Sequence, residues 1–248
     1  MSTDPQGYPA RGGAELNKPL YQSAHDSLLR LIADGEFPPG SILPNEFEIG
    51  ERLNVSQGTA RKALTLLEQK GVVQRRQGKG TFVTLRTPED SLFNFYPLRD
   101  GKDQQIIPHL ADETVRKRKA SKAESQILFG APSEVFVVSR YRTHEGAALT
   151  LEETILPVDL FPGLLDRAPL PNAMYVMFQH AYSCVIISAE EKLWAEILGA
   201  EKAEPYGLDP ATPVIMGRRE SVDLLGRTVE IRTNTYFTST ARYSATLK

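Results

Sequence analysis

The stretch from Leu43 to Val83 constrains this chain more than any other. Asn45 has the short polar side chain of an N-cap, and Ile49 and Leu53 follow at the spacing of a helix's inner face. Asn54-Val55 reads as a tight turn. Ser56 caps a second helix that runs to about Lys70 and stops at Gly71. Within it Ala60, Ala63, Leu64 and Leu67 fall on one face, leaving Gln57, Gly58, Arg61, Lys62 and Thr65 on the other. Val72-Val-Gln-Arg-Arg76 and Thr81-Phe-Val83 read as strands joined by Gln77-Gly78-Lys79-Gly80. The glycines supply positive φ and let the backbone come close to a partner. Upstream, Leu20, Ala24, Leu28, Leu31 and Ile32 recur at helical spacing from Pro19 to about Gly35, and Phe37-Pro-Pro-Gly40 cannot continue that helix. Three helices and a hairpin in this order predict a winged helix-turn-helix.

The exposed face of the second capped helix is polar and long-armed near its N-terminus, where a recognition helix meets base edges. Arg61 matches guanine O6 and N7, and Gln57 matches adenine. Ser56 and Thr59, with the first-turn amides, suit phosphate, and Lys79 at the hairpin tip suits phosphate or the minor groove. The candidate DNA-binding set is Asn45, Ser56, Gln57, Gly58, Thr59, Arg61, Lys62, Arg76, Gln77, Gly78, Lys79 and Gly80. The net charge of -2 speaks against a nucleic-acid partner, but its distribution does not. From Ser56 to Arg86 seven cations face the single anion Glu68, a local excess of six. Such a run is either a solvated surface or an electrostatic footprint.

A chain of 248 residues, 41% hydrophobic and 24% charged, fits a soluble protein of one or two domains. It has no apolar run of the roughly 18 residues a membrane helix needs. Residues 1–17 lack an apolar signal-peptide core and read as a disordered tail. The single cysteine, Cys184, excludes an internal disulfide and a multi-cysteine zinc site, which makes the cytoplasm the expected compartment. Neither cofactor nor metal is expected.

The expected domains are a DNA-binding head at 18–85, a linker at 86–95 and a second domain at 96–248. Arg86-Thr-Pro-Glu-Asp90 interrupts the hydrophobic pattern, and short β-branched runs follow. One internal echo organises them. Val135 to Arg142, Glu145-Gly146 and Leu151-Glu152 have a counterpart in Val214 to Arg219, Leu225-Gly226 and Val229-Glu230. Each copy reads as a hairpin. With Ser183–Ile197 as a further long strand, the expectation is an α+β domain, an antiparallel sheet with helices on one face. Ala173 to Phe178 is more apolar than a solvated helix needs, so it is either core or pocket lining.

The four histidines have no metal-ligand spacing, and no nucleophile motif is present, which argues against an enzyme. Charge on strands stands out instead. Arg140 and Arg142 point to one face, and Glu152, Glu230 and Tyr236 lie on returning strands. Two adjacent guanidiniums need an anion or carboxylate between them. The alternatives are a salt-bridged edge and a pocket for a small anionic or polar metabolite.

The motifs Leu43-Pro-Asn-Glu46, Leu53-Asn-Val-Ser56-Gln-Gly-Thr59-Ala-Arg61 and Arg75-Arg-Gln-Gly78-Lys-Gly80-Thr-Phe-Val83 resemble the DNA-binding domain of GntR-family bacterial transcription regulators. Two positions depart from that pattern: Phe47 and Gln57 stand where the family usually has arginine. The segments Val137 to Arg142, Leu151 to Pro157, Leu160 to Leu164 and Val229 to Tyr236 resemble UTRA, the effector-binding domain of the HutC branch, whose fold is similar to chorismate lyase. The resemblance implies a homodimeric repressor on double-stranded, palindromic DNA. Its effector would be a sugar phosphate, phosphonate or carboxylic acid held by Arg140, Arg142, Glu152 and Tyr236, to which the charge on the returning strands adds Glu230. The rival expectations are a chorismate-lyase-like enzyme fused to a DNA-binding head and a ligand-insensitive DNA-binding protein.

Overall fold

The structure, a computed structural model, describes residues 18–85, 87, 96–239 and 241–245. The expected tail, and all of the expected linker except Thr87, lie outside the described residues.

Helix α1 (Leu20–Ala33) buries Ala24, Leu28 and Ile32. Helix α2 (Glu46–Leu53) begins with a capping box. The Asn45 side-chain oxygen accepts from the Phe47 and Glu48 N–H groups, and Glu48 accepts from the Asn45 N–H. It ends at Asn54 in the left-handed region, φ 52°. Ser56 caps α3 (Gln57–Gln69), its Oγ accepting from the Thr59 N–H at 3.2 Å. The turn between α2 and α3 is tight enough to require glycine at Gly50, where a Cβ would lie 2.9 Å from the Val55 carbonyl oxygen. Ala60, Ala63, Leu64 and Leu67 are buried, as their spacing predicts. Strands β1 (Val73–Arg76) and β2 (Gly80–Val83) pair antiparallel, Val73 opposite Val83 and Arg76 opposite Gly80.

The second domain opens with β3 (Leu98–Arg99), β4 (His109–Lys119), α4 (Lys122–Ile127), β5 (Glu134–His144) and β6 (Ala147–Pro157). Then follow α5 (Met174–Tyr182), β7 (Ile186–Ile197), α6 (Ala200–Ala203), β8 (Pro213–Asp223), β9 (Thr228–Phe237) and β10 (Arg242–Tyr243). Six strands form one antiparallel sheet in the order β4-β5-β6-β9-β8-β7, and β3 pairs with β10 apart from it. The two hairpins expected from the internal echo are β5–β6 and β8–β9, and their returning strands β6 and β9 pair at the sheet's centre. β7 starts at Ile186 rather than Ser183, because Ser183 takes the left-handed conformation that ends α5.

Cross-strand register places Glu113, Arg140, Glu152, Asn234 and Gly217 in one row over five strands, so they share a face. Helix α5 covers part of that face, with Phe178 in one cluster with Phe136, Val138, Leu156 and Phe161. The helices are not confined to one face as expected. Leu128, at the end of α4, clusters with Val135, Val137 and Ile155, and Ala203 of α6 with Val214, Met216 and Phe237. The reason is that β5 is apolar on both sides at its start, with Val135, Phe136, Val137 and Val138 all buried, so both faces need cover. Val185 and Leu224 of this domain join the apolar cluster of the head.

Candidate nucleic-acid interface and effector pocket

Asn45, Ser56, Gln57, Gly58, Arg61, Lys62, Arg76, Gln77, Gly78, Lys79 and Gly80 are exposed, and Thr59 is half-buried. They lie on the α2 cap, the first turns of α3 and the β1–β2 hairpin. The Ser56 and Thr59 hydroxyls are 2.9 Å apart. Gly78 and Gly80 adopt φ of 69° and 112°, the positive values the hairpin turn calls for. Arg76 stacks its guanidinium 4.8 Å from the centre of the Phe82 ring, which steadies a long side chain in the wing.

Glu46 is the residue of this surface that sequence reasoning missed. Its Oε2 accepts from Arg61 Nε at 2.7 Å, and its Oε1 lies 3.6 Å from Arg75. Arg75 also reaches Glu68 at 3.4 Å and donates to the Thr65 hydroxyl at 3.3 Å. One carboxylate on α2 therefore ties a cation of α3 to a cation of β1. The capping-box pattern accounts for Asn45 and Glu48 but holds no signal for Glu46.

In the second domain Arg140 is buried. Its Nε donates to Glu113 at 2.7 Å, and one terminal nitrogen donates to the Leu170 and Pro171 carbonyls at 3.1 Å each. Arg142, two residues on and also buried, donates to the Asn172 side-chain oxygen. Its Nε lies 2.8 Å from Glu152 Oε1 in a buried ion pair. Glu152 Oε1 accepts from Thr150 at 3.1 Å. Burial pushes the Glu152 carboxyl up, but the Arg142, Arg232 and Arg140 guanidiniums hold it below the ordinary carboxylate value. Burial and the Glu152 charge push the Tyr96 phenol well up. Among the described residues, two polar atoms buried here have no hydrogen-bond partner, Arg140 Nη1 and Glu152 Oε2.

Glu230 and Tyr236 sit in different surroundings. Glu230 Oε2 accepts from Tyr175 at 2.5 Å and Ser221 at 2.6 Å, and its Oε1 from Arg232 Nε at 3.0 Å. Burial, then the Glu230 charge, pushes the Tyr175 phenol up to about 12. Tyr236 donates to Glu191 Oε1 at 2.7 Å, and Asn234 donates to the same oxygen at 2.9 Å. Arg219 and Tyr243 donate to Glu191 Oε2 at 2.8 Å each. Arg140 and Glu152 thus keep open bonding capacity beside Arg142, whereas Glu230 and Tyr236 belong to closed networks. Strand parity could have found Arg232, on the same face as Glu230. Glu113, Asn172 and Tyr96 come from elements whose relation to this row is fixed only by folding.

The head and the second domain each match a known family. The model for bacterial regulatory proteins of the gntR family matches residues 20–83, and that for the UTRA domain matches residues 105–242. The chain belongs to the GntR family. Its UTRA domain places it in the HutC branch, as a ligand-modulated, DNA-binding transcriptional regulator rather than an enzyme. This GntR regulator is 26% identical over 203 residues to the HTH-type transcriptional repressor NagR of Bacillus subtilis, covering 81% of this chain and 83% of NagR. It is also 26% identical over 232 residues to the mannosyl-D-glycerate transport/metabolism system repressor MngR of Escherichia coli, covering 92% and 95%. Its fold matches PhnF from Mycobacterium smegmatis with a TM-score of 0.52 and 24% identity over 91% of this chain and 99% of PhnF. The ligand-binding domain of a GntR-family regulator from Bordetella bronchiseptica matches with a TM-score of 0.55 and 21% identity, over 62% of this chain and 98% of that one. Among the described residues of the regulator no group of His, Cys, Asp and Glu is arranged to hold a metal, and no helix is long and apolar enough to cross a membrane.

Proposed function

We propose that this GntR regulator is a homodimeric repressor of a palindromic operator, released by a small anionic metabolite bound at Arg140, Arg142 and Glu152. The observation that carries the effector reading is a buried guanidinium nitrogen and a buried carboxylate oxygen, Arg140 Nη1 and Glu152 Oε2, that lack partners among the described residues. Burying polar groups without bonds costs about 1–3 kcal/mol each, so water or a ligand must complete them. One is a donor and the other an acceptor, with the Arg142 guanidinium beside them. They call for a ligand with an acidic group for the arginines and a hydroxyl or amine for Glu152. A sugar phosphate, a phosphonate or a carboxylic acid with hydroxyls has that chemistry. Glu230 and Tyr236 are assigned to shaping the wall rather than bonding the ligand. That NagR and MngR are named repressors, the latter of a mannosyl-D-glycerate system, supports repression and a sugar-derived effector.

On the DNA side, Arg61 and Gln57 are assigned to base edges. Ser56, Gly58, Thr59, Lys62 and the Arg76 to Gly80 wing are assigned to the backbone, with Asn45 at the α2 cap beside them. Dimerisation is assigned to the sheet edge at β7, where Leu193, Trp194 and Ile197 are 43%, 43% and 56% exposed. A long edge strand with apolar side chains in water calls for a covering partner, and a palindrome calls for that partner to be a second copy. The coupling works by linkage: effector stabilises a form in which the two heads are wrongly spaced, worth roughly 1–3 kcal/mol. The apolar cluster shared by Val185, Leu224 and the head offers a contact through which that change reaches the DNA.

The test begins with full-length protein and a random duplex pool. Wild type should select a palindrome, and Arg61→Ala should fold, dimerise and lose the selectivity. Sugar phosphates, phosphonates and hydroxy acids are then screened by thermal shift. A hit should release the selected duplex from wild type and leave Arg142→Ala bound. Trp194→Glu should sediment as a monomer. If Arg61→Ala still selects the same sequence, the recognition-helix assignment is wrong.

A further inference from the structure

Phe47 is the residue of the head that its own fold explains least. It stands in the first turn of α2 with 58% of its surface exposed, although Ile49, two residues on, is 1% exposed. Its backbone N–H donates to the Asn45 cap at 3.0 Å. The ring borders an open concavity shared with Ser56, Gln57 and Thr59 at the N-terminus of α3 and with Leu20 of α1. A large apolar ring is thus held in water beside the side chains and amides assigned to base edges and phosphates. Folding gains nothing from such exposure, since each CH₂ group left in water forgoes about 0.8 kcal/mol of burial.

The major groove has one apolar feature, the C5 methyl of thymine. A phenyl ring neither donates nor accepts the bonds that distinguish the other base edges. Its contribution to sequence reading is contact with that methyl. We infer that Phe47 is a specificity-determining residue that packs on a thymine methyl in each operator half-site. The inference rests on the DNA-binding reading above and extends it from a groove to a base. An arginine at this position would offer donors to a guanine edge or a phosphate, whereas the phenylalanine offers only apolar contact and no charge.

The test uses full-length protein and the duplex it selects from a random pool. Each thymine is replaced singly by uracil, which removes the methyl and leaves every hydrogen-bonding group in place. At one position in each half-site, wild-type affinity should fall about fourfold, the equivalent of one exposed methyl group. Phe47→Ala, an exposed site whose loss leaves the melting temperature unchanged, should bind the thymine duplex more weakly and ignore the same substitution. The idea is overturned if wild type tolerates uracil everywhere, if the selected half-site lacks thymine, or if Phe47→Ala keeps the same methyl dependence. It is equally overturned if Phe47→Ala binds DNA normally but changes oligomeric state, which would assign the ring to contact between copies. Failure to select any duplex would instead remove the DNA-binding reading itself, an outcome distinct from all of these.

Discussion

Arg140 and Glu152 stand directly opposite each other on β5 and β6, yet neither is the other's ion-pair partner. Arg140 turns outward to Glu113 on β4, and Glu152 reaches diagonally across the ladder to Arg142 on β5. That crossing of partners is why both groups keep an unused polar atom while buried. A direct Arg140–Glu152 pair would close the site. The arrangement instead holds two cations and an anion apart by means of residues outside the pair.

Removing Arg140 alone should be costly, because the Glu113 side chain is only 7% exposed and would be left as an unpaired carboxylate. Arg140→Met is expected to lower stability by about 3–5 kcal/mol, the typical cost of breaking a buried pair from one side. Adding Glu113→Gln should recover much of that loss in urea denaturation without restoring effector response. A double variant as unstable as the single one would show that Glu113 is not the group Arg140 compensates.

The head was legible in the sequence nearly residue by residue, because its signals are local: caps at Asn45 and Ser56, four apolar residues on one face of α3, and glycines at the wing. The sheet was half legible. The repeat of hairpins revealed β5–β6 and β8–β9 but not that β6 and β9 meet at the centre, since pairing between distant strands leaves no local mark. The effector residues divide for the same reason. Arg140 and Arg142 are a neighbouring pair, whereas their partners Glu113 and Asn172 lie 27 and 30 residues away in the chain.

The α4 cap gives a pH-dependent contribution. Glu124 is held by two 2.7 Å bonds from Arg118 and one from the Ser121 N–H, and the Arg118 bonds first of all lower its carboxyl to about 2. A depressed carboxyl stabilises the fold above its unfolded value of 4.5, and that share is lost as pH falls toward about 2. Arg118 is a third exposed, so solvent screening keeps the pair to about 1 kcal/mol. Thermal melts of wild type and Glu124→Gln should therefore differ at pH 7 and converge near pH 2. A constant gap across that range would assign the difference to packing.

Gly217 should not tolerate a side chain. It sits mid-strand on the face of Tyr236 and Glu191, and a Cβ would lie 2.6 Å from Glu191 Oε1 and 2.9 Å from Tyr236 Cε2. Both neighbours are fixed by the bonds that converge on Glu191. Gly217→Ala is expected to cost about 1–3 kcal/mol by overpacking, read as a lower urea midpoint with an unchanged slope. A neutral result would mean that the Glu191 network relaxes freely.

Glu46 makes the sharpest prediction on the DNA side, because it affects affinity and selectivity in opposite directions. It holds Arg61 through Nε at 2.7 Å and lies 3.6 Å from Arg75, placing a negative charge beside the surface assigned to phosphates. Glu46→Gln removes that charge with little change of shape. Non-specific affinity should rise and its salt dependence steepen, since a surface cation formerly paired with Glu46 now meets phosphate. The Arg61 guanidinium, no longer fixed by an ion pair, should discriminate its base less well, narrowing the ratio of selected to scrambled duplex by roughly tenfold. Titrating both duplexes at two salt concentrations separates the effects. An unchanged ratio with tighter binding to both would mean that Glu46 only neutralises, and that Arg61 is positioned by the DNA itself.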